Sequence, residues 1–194
     1  MKSVPPFILA SASPRRRELL QEAGFNFNVV TVTAEESYPG GLNPQKIVDY
    51  IAMQKLRACG AYLHKFMVVT ADTLVFKDKR IFSKPGDKEH AMNMLQALSD
   101  DTHKVTTSVC LGYKKHVHQF SVTTLVTFAP LTNDEITYYI DHYMPLDKAG
   151  SYGIQEWIGQ IGVKSIEGSY TNVVGLPMHE TYHNIVSYSR KWFG

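Results

Sequence analysis

The sequence predicts an α/β protein built on a mixed sheet, and three observations carry that expectation. Apolar, strand-like runs alternate with segments of helical periodicity along most of the 194 residues. Two long β-rich runs, HKVTTSVCLGY and HVHQFSVTTLVTFAP, follow one another across a polar turn. They form the strongest hairpin signal in the chain and break strict βαβ alternation. With 44% hydrophobic and 20% charged residues the chain can bury a sizeable core. A sheet fed by both crossovers and a hairpin is mixed, not all-parallel. The length fits one domain, 1–194, with at most a modest second lobe.

The elements follow in order. Ile8, Leu9 and Ala10 read as the end of a buried strand, with Ser13 as N-cap, Pro14 as first helical residue and Gly24 as the stop. TVTAEESYPGGLNPQ is a loop, closed by Asn43 as N-cap and Pro44 as the first residue of a second helix. That helix carries Ile47, Ile51, Ala52, Leu56 and Ala58 and ends near Gly60 to Leu63. FMVVTADTLVF is a buried strand interrupted by an acidic residue, and Lys77 to Arg80 turn into RIFSKPG. A helix runs from about Asp87 to Leu98 with Met92, Leu95 and Leu98 on one face. After the hairpin, Thr132 and Glu135 form a capping box for a helix through about His142, whose Tyr138, Tyr139 and Tyr143 fit a packing face. AGSYGIQ and GSYTNVVGLP read as Gly-rich loop or strand, and Pro177 opens a final helix. There is no internal repeat and no low-complexity tract.

A net charge of +2 is too small for a broad nucleic-acid-binding face, so positive charge matters only in local clusters. RNA binding through SPRRR lacks interleaved aromatics. Cys59 and Cys110 lie far apart without a CxxC partner and read as small buried residues of a reducing compartment. The N-terminal apolar run is too short for a signal-peptide core, and no segment approaches the ~20 apolar residues of a membrane span. The cytoplasm is the expected location, with no membrane partner; a homodimer is left open.

Arg15, Arg16 and Arg17 crowd the first turn of a helix, where the dipole favours acidic side chains. A bound phosphate would offset that repulsion, with the hydroxyls of Ser11 and Ser13 adding donors. The alternative is a solvated basic turn. Successive helix positions lie ~100° apart, so at least one arginine faces away. Asp72 ends an apolar strand, where an unpaired carboxylate is costly. It is structurally paired, a metal ligand or a general base, and spacing alone does not choose. Glu35 and Glu36, in a loop, either share a cation with it or are solvated. Lys55 and Lys84 are each able to reach phosphate oxygens as point charges, or are plain surface lysines. His116, His118, His179 and His183 show no trusted metal spacing and read as surface. Neither a Walker A motif nor GxGxxG occurs.

LASASPRRRELL, ADTLVF, SKPGDKEHAMNMLQALS, THKVTTSV, PLDKAGSYGIQ and GSYTNVVGLP, in this order, resemble the Maf family of nucleoside triphosphate pyrophosphatases across residues 8 to 177. The resemblance implies an elongated, twisted mixed sheet flanked by helices, in two lobes with a cleft between them. It also implies hydrolysis of an NTP to NMP and pyrophosphate with a divalent cation, Mg²⁺ or Mn²⁺. ADT resembles the branch acting on dTTP and UTP, with modified pyrimidine NTPs as further substrates, so that non-canonical nucleotides are kept from incorporation. Carried onto this chain, Asp72 is the proton acceptor, and Arg15, Thr73 and Gln155 match positions associated with substrate choice. Ser11, Ser13, Arg16, Glu36, Lys55, Lys84 and Lys148 match other polar positions of the family's cleft. Glu36 is the second carboxylate for catalysis and, with Asp72, for the metal. Gln155 offers a donor and an acceptor to the O4 and N3–H edge of uracil or thymine. Two positions depart from the family pattern. Glu156 and Trp157 follow Gln155 where GL is commoner, which bears on the base pocket, and Asp100 replaces a usual glycine. The competing class is a nucleotide-binding regulator of cell division without turnover; it needs the phosphate cradle but no catalytic carboxylate.

Overall fold

In the computed structural model, which describes residues 4–34 and 37–193, the first strand, β1 (Phe7–Ala10), is buried at all four positions. Strands covered on both faces read as continuous apolar runs, and this one does. Helix α1 (Pro14–Glu22) starts where expected: the Ser13 hydroxyl oxygen accepts from Arg16 N–H at 3.5 Å, and Gly24 takes a positive φ after the helix. Next come β2 (Phe27–Val30), α2 (Pro44–Arg57), α3 (Gly60–Leu63), β3 (Val68–Lys77), β4 (Arg80–Phe82) and α4 (Lys88–Leu98). The hairpin is β5 (Thr102–Tyr113) and β6 (His116–Phe128). Helix α5 (Asn133–Tyr143) carries the capping box, and α6 (Trp157–Gly162), β7 (Val163–Glu167), α7 (Tyr170–Val174) and α8 (Met178–Phe193) complete the chain.

The strands form one seven-stranded sheet in the order β2-β1-β3-β5-β6-β7, with β4 beside β3. β1 runs parallel to β2 and β3, whereas β3–β4 and β6–β7 are antiparallel, so the sheet is mixed as the hairpin required. By its internal contacts the chain divides into two units. Unit 1 comprises Met1–Asp72, Thr107–Val122 and Gly175–Gly194; unit 2 comprises Thr73–Thr106 and Thr123–Val174.

Unit 1 shows the alternation that a covered strand imposes. Phe7 and Leu9 of β1 pack with Leu20 of α1, Val69 of β3 and Ile185 of α8, while Ile8 and Ala10 pack with Ala52 and Leu56 of α2. Residues two apart on a strand share a face. Val68, on the α2 side, is therefore followed by Thr70, whose hydroxyl donates to Ala52 O at 3.0 Å, and then by Asp72. Cys59 and Cys110 are buried free thiols in this layer, and burial pushes them up to about 11 and about 12.

Unit 2 is centred on Val75, Phe82, Leu95, Phe128, Tyr139 and Ile158. Three expectations change here. The buried face of α4 runs through Ala91, Met94, Leu95 and Leu98, and half-buried Met92 packs against the same core, so the apolar stripe is wider than predicted. Of the three tyrosines on α5 only Tyr139 is buried; Tyr138 and Tyr143 are exposed. Residues 170–174 are the helical turn α7 where loop or strand was predicted. Asn172 decides this: its amide donates to Val105 O and Thr124 Oγ1, both at 2.9 Å, a tertiary tie that no local pattern encodes. Asp100, in place of a usual glycine, has φ of +53°. Aspartate is among the few side chains that enter the left-handed region readily.

His103, on β5, is buried with its Nε2 2.7 Å from the Tyr152 hydroxyl oxygen, against the rings of Phe128 and Tyr152. Burial pushes its imidazole down to about 4, the Asp101 charge opposing and the Lys77 charge assisting. The unfolded chain takes up this proton near pH 6.5 and the folded one only near 4. The stabilisation is thus complete above about 6.5 and lost as pH falls toward 4, on the order of 3 kcal/mol in all. Denaturation between pH 4 and 7 is expected to show that slope in the wild type and a smaller one in His103→Gln. An equally steep variant would assign the pH dependence elsewhere.

Candidate active site

In unit 1 the site is built from the end of β1, the middle of β3 and the adjoining turns of α1 and α2. β3 runs on to Lys77, so Asp72 interrupts this strand and does not end it as the sequence suggested. The row Val68–Thr70 faces α2 and leads on to Asp72, while Lys55 lies one helical turn beyond Ala52 on the face that meets it. The two charges meet: Lys55 Nζ is 2.6 Å from Asp72 Oδ1, with only 19% and 14% of the side chains exposed. The open choice for Asp72 therefore resolves first as a pair. Lys55, an ambiguous lysine on an otherwise apolar face, orients the carboxylate.

The arginine turn resolves residue by residue. Arg16 donates from Nε to Gly175 O at 2.9 Å, and from Nη1 to Ala71 O at 2.7 Å and to Ser11 Oγ at 3.3 Å. Carbonyls of its own unit thus accept from its guanidinium and compensate a cation at the positive end of the helix dipole, and one of them belongs to the residue before Asp72. Arg15 is half-buried and Arg17 is exposed, as the helical rotation requires. Ser11 Oγ also accepts from Ser13 N–H at 3.2 Å, and Ser13 Oγ caps the helix. In these contacts both serine oxygens act as acceptors, which leaves each hydroxyl proton available to an anion.

In unit 2, Thr73 follows Asp72 along β3 and Lys84 is exposed beyond β4. Gln155 is exposed in the turn between Tyr152 and α6. Lys148 is nearly buried and lies 2.7 Å from Asp147 Oδ1 and 3.1 Å from Glu156 Oε1. The negative charge that Glu156 brings beside Gln155 is thus matched by a cation. Sequence reasoning missed Tyr139 as a partner of this segment: its hydroxyl accepts from Gly153 N–H at 3.0 Å and donates to Glu156 Oε2. Nothing local to Tyr139 signals that contact. Glu36, the second predicted carboxylate, lies outside the described residues, as does Glu35.

His116, His179 and His183 are exposed as predicted. His118 is not simply exposed: it stacks on Tyr188 at 4.2 Å, with its Nδ1 2.9 Å from that hydroxyl. Among the described residues no three His, Cys, Asp or Glu side chains gather into a metal cage. A hard cation that arrives with phosphates needs only one or two carboxylates, so Asp72 fits such an ion and does not suit a resident caged one.

A mixed α/β sheet bearing a lysine-oriented carboxylate beside a cationic helix start defines an α/β protein equipped for phosphate chemistry. The family described as Maf-like protein matches residues 6–187. The chain belongs to the Maf family. It is 49% identical over 177 residues to the dTTP/UTP pyrophosphatase of Phocaeicola vulgatus, covering 90% of this chain and 92% of that one. It is 46% identical over 183 residues to that of Flavobacterium psychrophilum, covering 94% of each. With the dTTP/UTP pyrophosphatase of Porphyromonas gingivalis it shares 45% identity over 182 residues, 92% of each chain. The structure of the Staphylococcus aureus Ham1 protein aligns at a TM-score of 0.48 and 15% identity, over 92% of this chain and 99% of that one, too slight a likeness to inform the site.

Proposed function

We propose that this protein hydrolyses dTTP and UTP to the nucleoside monophosphate and pyrophosphate. The observation that carries the reading is Asp72, a carboxylate set within the buried strand β3 and held at 2.6 Å by Lys55. Three relatives at 45–49% identity are named for that activity. Lys55 fixes Oδ1, and Oδ2 takes the proton of the attacking water. The water oxygen bonds to the α-phosphorus as the bond to the bridging oxygen breaks, and pyrophosphate leaves with the electron pair. Arg15, Ser11, Ser13, Lys84 and Lys148 supply donors for phosphate oxygens, where negative charge concentrates in the transition state. Arg16 acts through the carbonyls it binds. Asp72 is the described residue that would hold a divalent cation, Mg²⁺ or Mn²⁺, with Glu36 as the second carboxylate. Such an ion, when bound, neutralises charge on the phosphates. Gln155 reads the pyrimidine edge and Thr73 assists in substrate choice. No helix of the described residues is long and apolar enough to cross a membrane, and the cytoplasm, where these nucleotides are made and used, is the proposed location.

The test is direct. Purified protein with Mg²⁺ and UTP or dTTP is expected to release pyrophosphate and the monophosphate in equal amounts. Binding of UTP with no pyrophosphate would instead make this chain the nucleotide-binding regulator, and release of orthophosphate would move the attack off the α-phosphorus.

A further inference from the structure

We propose that Tyr139 and Glu156 form a clamp that fixes the turn carrying Gln155, which makes both of them positioning residues for base recognition. The inference rests on the reading of Gln155 as the base-reading side chain. An amide presents a donor and an acceptor, and a freely rotating one suits either uracil or cytosine. Discrimination therefore requires that the amide meet the base from one direction, and a fixed segment holding Gln155 is the first condition for that. Gly153 to Glu156 is a four-residue turn closed by Glu156 N–H donating to Gly153 O at 3.0 Å. A single hydroxyl ties both of its ends: Tyr139 accepts from Gly153 N–H at 3.0 Å and donates to the Glu156 carboxylate. The other carboxylate oxygen is 3.1 Å from Lys148 Nζ.

The surroundings make the clamp stiff. Tyr139 is fully buried from α5, within the core of unit 2, and a buried tyrosine hydroxyl needs a partner. Here its donor and an acceptor site both go to the one turn. Ile154 is buried and Gln155 beside it is exposed, so the turn is anchored by one side chain and presents the next. A Cβ on Gly153 would lie 2.6 Å from the Glu156 carboxyl carbon, and one on Gly159 of α6 would lie 1.9 Å from Ile154 O. At Gly159 the neighbour is backbone and only glycine permits the approach, whereas at Gly153 a side chain would displace the Glu156 carboxylate from its place in the clamp. Burial, with Glu156 beside it, raises the tyrosine's ionisation far above its ordinary value, so the hydroxyl remains a donor.

The experiment compares kcat/KM for UTP and CTP in five proteins. Gln155→Ala is expected to narrow the UTP-over-CTP ratio roughly ten- to a hundredfold. Tyr139→Phe, which removes only the hydroxyl, is expected to narrow it about tenfold, with the loss in KM for UTP rather than in kcat. Glu156→Ala should match Tyr139→Phe, whereas Glu156→Gln, which keeps an acceptor for the hydroxyl, should restore the wild-type ratio. A structural role would show no such rescue and no substrate dependence. Should Tyr139→Phe fail to fold, the two variants at Glu156, a side chain 19% exposed, decide the matter. A ratio narrowed by Gln155→Ala but kept by Tyr139→Phe and Glu156→Ala overturns the clamp and leaves the base reader standing. A ratio unmoved by Gln155→Ala removes the base reader, and the role of the clamp with it.

Discussion

Asp72→Asn is expected to lower kcat for UTP by roughly 10²-fold or more, the usual worth of a positioned general base. The substitution is close to isosteric. An asparagine at this position in the middle of β3 still offers an oxygen to Lys55 Nζ, which lies 2.6 Å from the present carboxylate. It has no capacity to take the water's proton. The loss should therefore fall on kcat, with circular dichroism and the denaturation midpoint close to wild type. The pair is partly exposed, so the lysine left without its counter-charge keeps contact with water. Pyrophosphate release at saturating UTP measures the effect, and near wild-type turnover would take the base assignment away from Asp72.

Arg16→Ala is expected to destabilise the protein by roughly 2–4 kcal/mol, because two carbonyls lose a charged donor at once. The guanidinium joins Gly175 O, Ala71 O and Ser11 Oγ at 2.9, 2.7 and 3.3 Å. It thereby ties together, within unit 1, the start of α1, the middle of β3 and the segment before α8. Arg16→Lys should recover little of this, since one ammonium does not reproduce a planar fork. Activity should fall as well, because the Ala71 carbonyl adjoins Asp72. Urea denaturation of both variants gives the answer; a loss under about 0.5 kcal/mol in Arg16→Ala would make the three contacts incidental, since surface changes lie within that range.

Much of the fold was legible because its signals are local. Ser13, Asn43, Asp87 and Thr132 each cap the helix they were expected to cap or start. A capping oxygen acts on an N–H two or three residues ahead, so its pattern survives in a short window. The β5–β6 hairpin was visible for the same reason. The short elements α6 and α7, of six and five residues, were not. Neither is long enough to display two helical turns of apolar spacing.

The site divides along the same line. By itself the sequence determined that a carboxylate interrupts the apolar strand β3, that three arginines crowd a capped helix start, and that Gln155 sits in a glycine-rich turn. Its ordered motifs also determined the family. Only the tertiary structure decided what each charge touches. Lys55 meets Asp72 across 17 positions of sequence, Arg16 meets Ala71 across 55 and Gly175 across 159, and Tyr139 meets Glu156 across 17. The physical reason is one of range. Helix and strand periods are set by backbone geometry within a few residues, and so they are written into composition and spacing. A side-chain pair between elements depends on which strands are neighbours, in what register, and which face of a helix lies over them. A shift of one residue in β3 would turn Asp72 away from α2 and carry Ala71 to the face where Asp72 now meets Lys55.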